Sequence, residues 1–149
     1  MKNTHHFLTK RSDLQHLGAW DANLCAMNAE AFGTPSGVMK CLQPFDAQLT
    51  GAKFLAAKLL PMRAIAEARL KNVAGAEADL ARLRALKASE PSGSAAFVRL
   101  PEVEAEILMA KGQDKAAFDG LRQADHDAGT DPWRYVAKGI FCGNDGLRR

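Results

Sequence analysis

Residues 54–86 read FLAAKLLPMRAIAEARLKNVAGAEADLARLRAL. In the second half, Val73, Ala76, Leu80, Leu83 and Leu86 recur at steps of three and four, which places them on one side of a 3.6-residue helix. Glu77, Asp79, Arg82, Arg84 and Lys87 lie mostly off that side, and Asp79 with Arg82 makes an i,i+3 pair worth ~0.3 kcal/mol. Acids come early and bases late, as the helix dipole favours. Ser89-Glu90-Pro91-Ser92-Gly93-Ser94 stops the helix. The first half carries a matching stripe of Leu55, Leu59, Met62, Ala66 and Leu70. Asn72 interrupts the two stripes and leaves no room for a long loop, so the helices are antiparallel neighbours. Pro61 falls inside the first stripe. The stripe crosses it without losing phase, which predicts one continuous, bent helix rather than a helix that starts there.

A chain of 149 residues makes one domain, with about 70 % of its unfolded surface buried on folding. Alanine and leucine dominate and β-branched residues are scarce, which favours helix over strand. A formal charge of +3 implies no nucleic-acid partner by itself. Its distribution says more: residues 53–99 hold nine bases and four acids, whereas residues 100–131 hold three bases and eight acids. Either neighbouring layers attract each other across their contacts, or an acidic face receives a basic partner. Cys25, Cys41 and Cys142 have no metal-ligand or redox spacing, and an odd number makes no closed disulfide framework. Reduced cysteines in a cytoplasmic protein are the simplest account. No apolar h-region follows Met1, and no apolar run nears the ~20 residues of a membrane span.

Residues 1–11 read as a flexible leader, 12–140 as one helical domain and 141–149 as a tail. Ser12 is placed as an N-cap for a helix running to Phe32, and Gly33 as its C-terminal stop. Thr34-Pro35-Ser36-Gly37 reads as a turn, residues 38–45 as a helical turn or a short extended piece, and Asp46 as the N-cap of the next helix. Pro101 followed by Glu102 and Glu104 starts another helix, closed by Lys111-Gly112. Gln113-Asp114 opens the next, lined by Ala117, Leu121 and Ala124. Asp131-Pro132 starts a last short helix carrying Trp133, Tyr135, Val136 and Ile140.

The stretch Lys71–Leu83 repeats itself at Gly112–Ala124. Under that offset of 41, Ala76 matches Ala117, Leu80 matches Leu121, Leu83 matches Ala124, and Ala64 matches Ala105 in the preceding helices. A helix–turn–helix unit recurring at such a period means stacking. The pattern resembles the tetratricopeptide repeat (TPR), most clearly over residues 58–127. It departs from that family in its period, which is usually about 34, in Pro101 where a large apolar residue is expected, in Glu67 where an aromatic or small residue packs, and in lacking a closing proline. The resemblance implies an all-α fold of antiparallel helix pairs stacked as a short, right-handed, TPR-like solenoid. It also implies a peptide or partner protein bound in a helical groove, with no catalysis.

Other chemistry is weakly written. His16 and Cys25 are nine residues apart, about 13 Å along a helix, too far for a nucleophile pair. Asp125-His126-Asp127 with Asp131 lacks the order of a calcium loop. No phosphate loop, zinc-helix motif or nucleophile elbow occurs. Arg63, Arg69, Arg82 and Arg84 form a basic surface without the interleaved aromatics of nucleic-acid binding.

The sequence therefore predicts a protein-interaction scaffold with no cofactor, metal, nucleic-acid or membrane partner. Arg63, Glu67, Arg99, Glu102 and Glu104 are its expected binding residues. Two repeats are few, so the first helices complete the stack, the chain self-associates as a homo-oligomer, or it belongs to a longer protein. The alternative is a small-ligand binder or enzyme with an interhelical pocket built from Trp20, Cys25 and His126.

Overall fold

A computed structural model of the chain describes residues 11–46, 49, 53–89 and 99–127. Its helices are α1 (Arg11–Ala31), α2 (Pro35–Leu42), α3 (Lys53–Arg69), α4 (Val73–Ser89), α5 (Leu100–Ala110) and α6 (Asp114–Asp127), with a 3-10 turn over Gln43–Phe45. The described residues contain no strand, as the composition predicts. Expectations for residues 1–10, the helix around Trp133, Cys142 and the tail at 141–149 lie outside the described residues.

One turn closes all three helix pairs. Between α3 and α4 the amides of Leu70, Lys71, Asn72 and Ala76 donate to the carbonyls of Ala66, Ala68, Glu67 and Asn72. Shifted by 41 residues (Lys71 to Gly112), the same bonds join Lys111 to Ile107, Gly112 to Met109, Gln113 to Leu108 and Ala117 to Gln113. Shifted back by 38 (Lys71 to Gly33), they join Phe32 to Asn28, Gly33 to Glu30, Thr34 to Ala29 and Val38 to Thr34. The reversal needs one left-handed residue. Gly33 (φ 66°) and Gly112 (φ 75°) provide it without steric cost, whereas Lys71 (φ 65°) provides it despite its Cβ.

The buried positions repeat with the turns. Ala26, Ala64 and Ala105 are all buried in the leading helices, and Val38, Ala76 and Ala117 in the following ones. Ala76 and Ala117 are thus equivalent, as expected, and the first two helices belong to the same pattern. Successive pairs also meet in one way: α2 lies on α3 as α4 lies on α5, and α1 touches α3 as α3 touches α5. The helix α3 therefore has neighbours on several sides. It buries Ala56, Leu59, Leu60, Ala64, Ile65 and Ala68, far more than the single stripe read from its sequence. It runs unbroken through the buried Pro61.

Four expectations change. Thr34–Gly37 is no free-standing turn, because Pro35 occupies the first turn of α2, where its missing N–H and fixed φ suit a helix start. Asp46 does not cap α3, whose described start is Lys53; it ends the 3-10 turn and pairs with Arg63. Asp79, placed off the apolar stripe, is only 3 % exposed. Cys25 and Cys41 are not free thiols. They form a disulfide between α1 and α2, 16 residues apart with a Cα–Cα distance of 5.7 Å. An odd cysteine count leaves room for one bridge, and closing a loop of this size stabilises by about 3 kcal/mol in the chain-entropy view.

Candidate interaction face

The leading helices α1, α3 and α5 share a side on which their side chains meet. Trp20 and Met27 are seven residues apart on α1, Lys58 and Ile65 seven apart on α3, and Glu102 and Glu106 four apart on α5. Such spacings align residues along one helix face. Lys58 Nζ lies 5.9 Å from the centroid of the Trp20 ring, within cation–π range. Arg69 donates from Nε (3.1 Å) and Nη2 (2.5 Å) to Glu106 Oε1. Arg99, just before α5, donates to Glu30 at the end of α1 from Nη1 (3.1 Å) and Nη2 (2.5 Å), and to Glu102 from Nε (2.8 Å) and Nη2 (2.9 Å).

Glu102 and Glu106 are buried, so these pairs are internal ties rather than solvated surface charge. Burial works against the Arg99 cation, but the hydrogen bonds to Glu102 and Glu30 outweigh it and hold the guanidinium above its usual range. Arg69 is likewise opposed by burial and raised on balance by Glu106. The apolar part of the face is open. Trp20, Leu24 and Met27 are 58, 44 and 52 % exposed, and their i, i+4, i+7 spacing makes them one stripe on α1. A single exposed apolar residue calls for no explanation, whereas three in one stripe form an apolar patch.

A second charge cluster lies between α3 and α4. Arg63 donates Nε (2.6 Å) and Nη2 (2.5 Å) to the two oxygens of Asp79, and Nη1 (2.6 Å) to Asp46. The fork geometry matches the carboxylate and raises the Arg63 pKa above its usual range, chiefly through the Asp79 hydrogen bond. Arg82 Nη2 donates to the Leu49 carbonyl (2.6 Å) and so anchors α4 to the segment before α3. Glu67 sits beside this cluster. Its Oε2 is buried without a hydrogen-bond partner, in the space a Cβ on Gly75 would fill. Burial, then the charge of Asp79, raises its pKa, and Arg63 opposes the rise.

The five expected binding residues do not converge. Arg99 and Glu102 lie at the junction of α1 and α5. Arg63 and Glu67 lie between α3 and α4. Glu104 accepts from Arg84 of α4 at 2.8 Å. Four of the five are engaged in ion pairs within the chain. The opposite charges of residues 53–99 and 100–131 are used the same way, through Arg69–Glu106, Arg84–Glu104 and Lys111–Glu77. Glu77 meets Lys111 while Arg84 meets Glu104, so α4 and α5 run antiparallel. Of the residues of the alternative pocket, Cys25 is in the disulfide and Trp20 is exposed on α1, which packs on α2 and α3, whereas α6, which carries His126, packs on α5.

Sequence reasoning passed over Glu30, paired Asp79 with Arg82 rather than Arg63, and left Glu106 without a partner in the acidic segment. The charge imbalance between segments was the available signal for Glu106. Among the described residues, no group of three His, Cys, Asp or Glu is placed to hold a metal ion, and no helix is long and apolar enough to cross a membrane. A dent lined by Glu30, Val38, Met62, Ile65 and Arg69 holds about 10 Å³, room for one water at most. A larger depression of about 390 Å³ lies open to solvent over the start of α6, along Gly112–Lys115 and Asp119. No family model, curated protein or solved structure matches the chain.

Proposed function

We propose that the chain is a short TPR-like array of three helix pairs that binds a peptide or partner protein on the α1–α3–α5 side, without catalysis of its own. One observation carries this reading: the same four-bond turn occurs three times, each time with a buried alanine before it (Ala26, Ala64, Ala105) and a buried apolar residue after it (Val38, Ala76, Ala117). A unit of that kind cannot bury its apolar flank alone and gains a core by stacking on copies of itself. Stacked helix pairs of the kind the sequence resembles present their leading helices as a binding surface. Here that surface offers the apolar stripe of Trp20, Leu24 and Met27, suited to the apolar side chains of a peptide.

The test is selection from a random peptide display library against the oxidised full chain, after light scattering has established its oligomeric state. Enriched peptides should compete with one another and lose at least tenfold in affinity to a Trp20→Ala/Met27→Ala variant. Failure to enrich any peptide, or binders indifferent to that variant, overturns the reading. A cytoplasmic location, expected from the sequence, would require Cys25–Cys41 to be a bond that opens, because stable disulfides are rare in reducing compartments.

A further inference from the structure

The shift of 38 residues that superposes the turn at Gly33 on the turn at Lys71 also carries Cys25 onto Arg63 and Cys41 onto Asp79. Both pairs join the leading helix of a hairpin to its following helix at the same two places. In the first hairpin the link is covalent, and in the second it is a buried two-pronged ion pair. The shift of 41 carries these positions to Glu104 and Gly120 in the third hairpin, where Gly120 has no side chain to complete a link and Glu104 turns to Arg84 instead. One slot therefore holds three different solutions, and only the first responds to electrons.

We propose that Cys25–Cys41 is a redox-controlled staple, and that a dithiol reductant opens it and frees α1 from the rest of the fold. Access favours the reaction, since Cys25 is exposed and Cys41 half-buried. A reductant thiolate attacks Cys25 Sγ and the S–S bond breaks. Cys41 leaves as a thiolate and takes up a proton. The second reductant thiol then attacks the mixed disulfide, Cys25 leaves and is protonated in turn, and the reductant departs as its own disulfide, having supplied two electrons and two protons.

Release is local because, apart from Glu30 in the grip of Arg99, the described part of α1 adds little to the core. Of its described side chains only Ala22 and Ala26 are buried, both small, while Trp20, Leu24 and Met27 face out. By contrast, α3 buries Leu59, Leu60, Met62 and Ile65 and stays packed against α4 and α5. The proposal concerns the fold's response to reduction and stands whether or not the array binds a peptide.

The test uses the full chain with Cys142→Ser, so that a single pair remains, compared by hydrogen exchange before and after dithiothreitol. With thiol titration showing complete reduction, amides of residues 20–31 should exchange about a hundredfold faster, the equivalent of losing a cross-link over a loop of this size. Amides of α2 to α6 should change less than threefold. A second variant moves the second hairpin's solution into the first: Cys25→Arg/Cys41→Asp should keep α1 protected and indifferent to dithiothreitol. If it does not fold, Cys25→Ser/Cys41→Ser must match the reduced protein. Unchanged α1 protection on reduction, loosening of all six helices together, a bond that resists the dithiol in the folded chain, or a serine pair as protected as the oxidised protein would each overturn the proposal.

Discussion

Replacing Asp79 by leucine tests how much the α3–α4 hairpin depends on its internal ion pair. Asp79 is 3 % exposed and accepts two short bonds from Arg63, at 2.6 and 2.5 Å, with Arg82 more distant at 3.4 Å. The Arg63 side chain is itself only 13 % exposed. Taking away one partner of a buried pair strands the other, a loss of about 3–5 kcal/mol. Arg63 would keep Asp46, and Glu67 is close enough to act on its charge. These compensations place the expected loss at the low end, about 3 kcal/mol. For a chain of this length that lowers Tm by roughly 10 °C. The double variant Arg63→Met/Asp79→Leu removes both charges, and Asp46, which is 56 % exposed, falls back on water. It should therefore lose about 1–2 kcal/mol less than Asp79→Leu alone. Urea melts followed by far-UV circular dichroism measure both. A loss below about 1 kcal/mol for Asp79→Leu, or a double variant as costly as the two single changes added together, would refute the reasoning.

Glu67 offers a pH test. Its pKa is raised on folding above the ordinary 4.5, so the folded chain holds that proton more tightly than the unfolded one. The associated stability is complete below pH 4.5 and is lost as pH rises through the folded value. Glu67→Gln, neutral throughout, should stabilise by up to about 1 kcal/mol at pH 7 and by nothing at pH 4, since partial exposure screens the effect; equal shifts at both pH values would count against it. Lys71→Gly should stabilise by about 0.5 kcal/mol and Gly112→Ala destabilise by about 1 kcal/mol, because both sites need a positive φ. Shifts of the same sign in urea midpoints would show that the two turns are not equivalent. Ala64→Leu, at a fully buried position, should lose about 1–3 kcal/mol by overpacking, and an unchanged midpoint would mean the helices do not approach closely there.

Local signals carried the hairpin of residues 54–86. Its stripes, its short turn and its 41-residue echo depend on neighbours in sequence, and the observed turn bonds repeat at that offset. The first hairpin was harder to read because its turn chemistry lies in Thr34 and Pro35, which serve a loop as readily as a helix start. Long-range pairing was hidden for a different reason. Arg63 finds Asp79 sixteen residues away, Arg69 finds Glu106 thirty-seven away and Arg99 finds Glu30 sixty-nine away, and no local pattern selects those partners from the other charges. The residues expected to bind a partner were read as the polar lining of a groove; four of the five are engaged in ion pairs within the chain.

The tie between Arg99 and Glu30 changes how the molecule should come apart. Units strung in a line and touching only their neighbours can fray from either end, one after another. Here the third hairpin reaches past the second to grip the first. In the oxidised chain α1 is thereby tied to the third hairpin as well as to its own partner α2. While the disulfide is closed, loss of either outer hairpin removes a support from the other, so heat should dismantle the three hairpins of the oxidised chain in one concerted event.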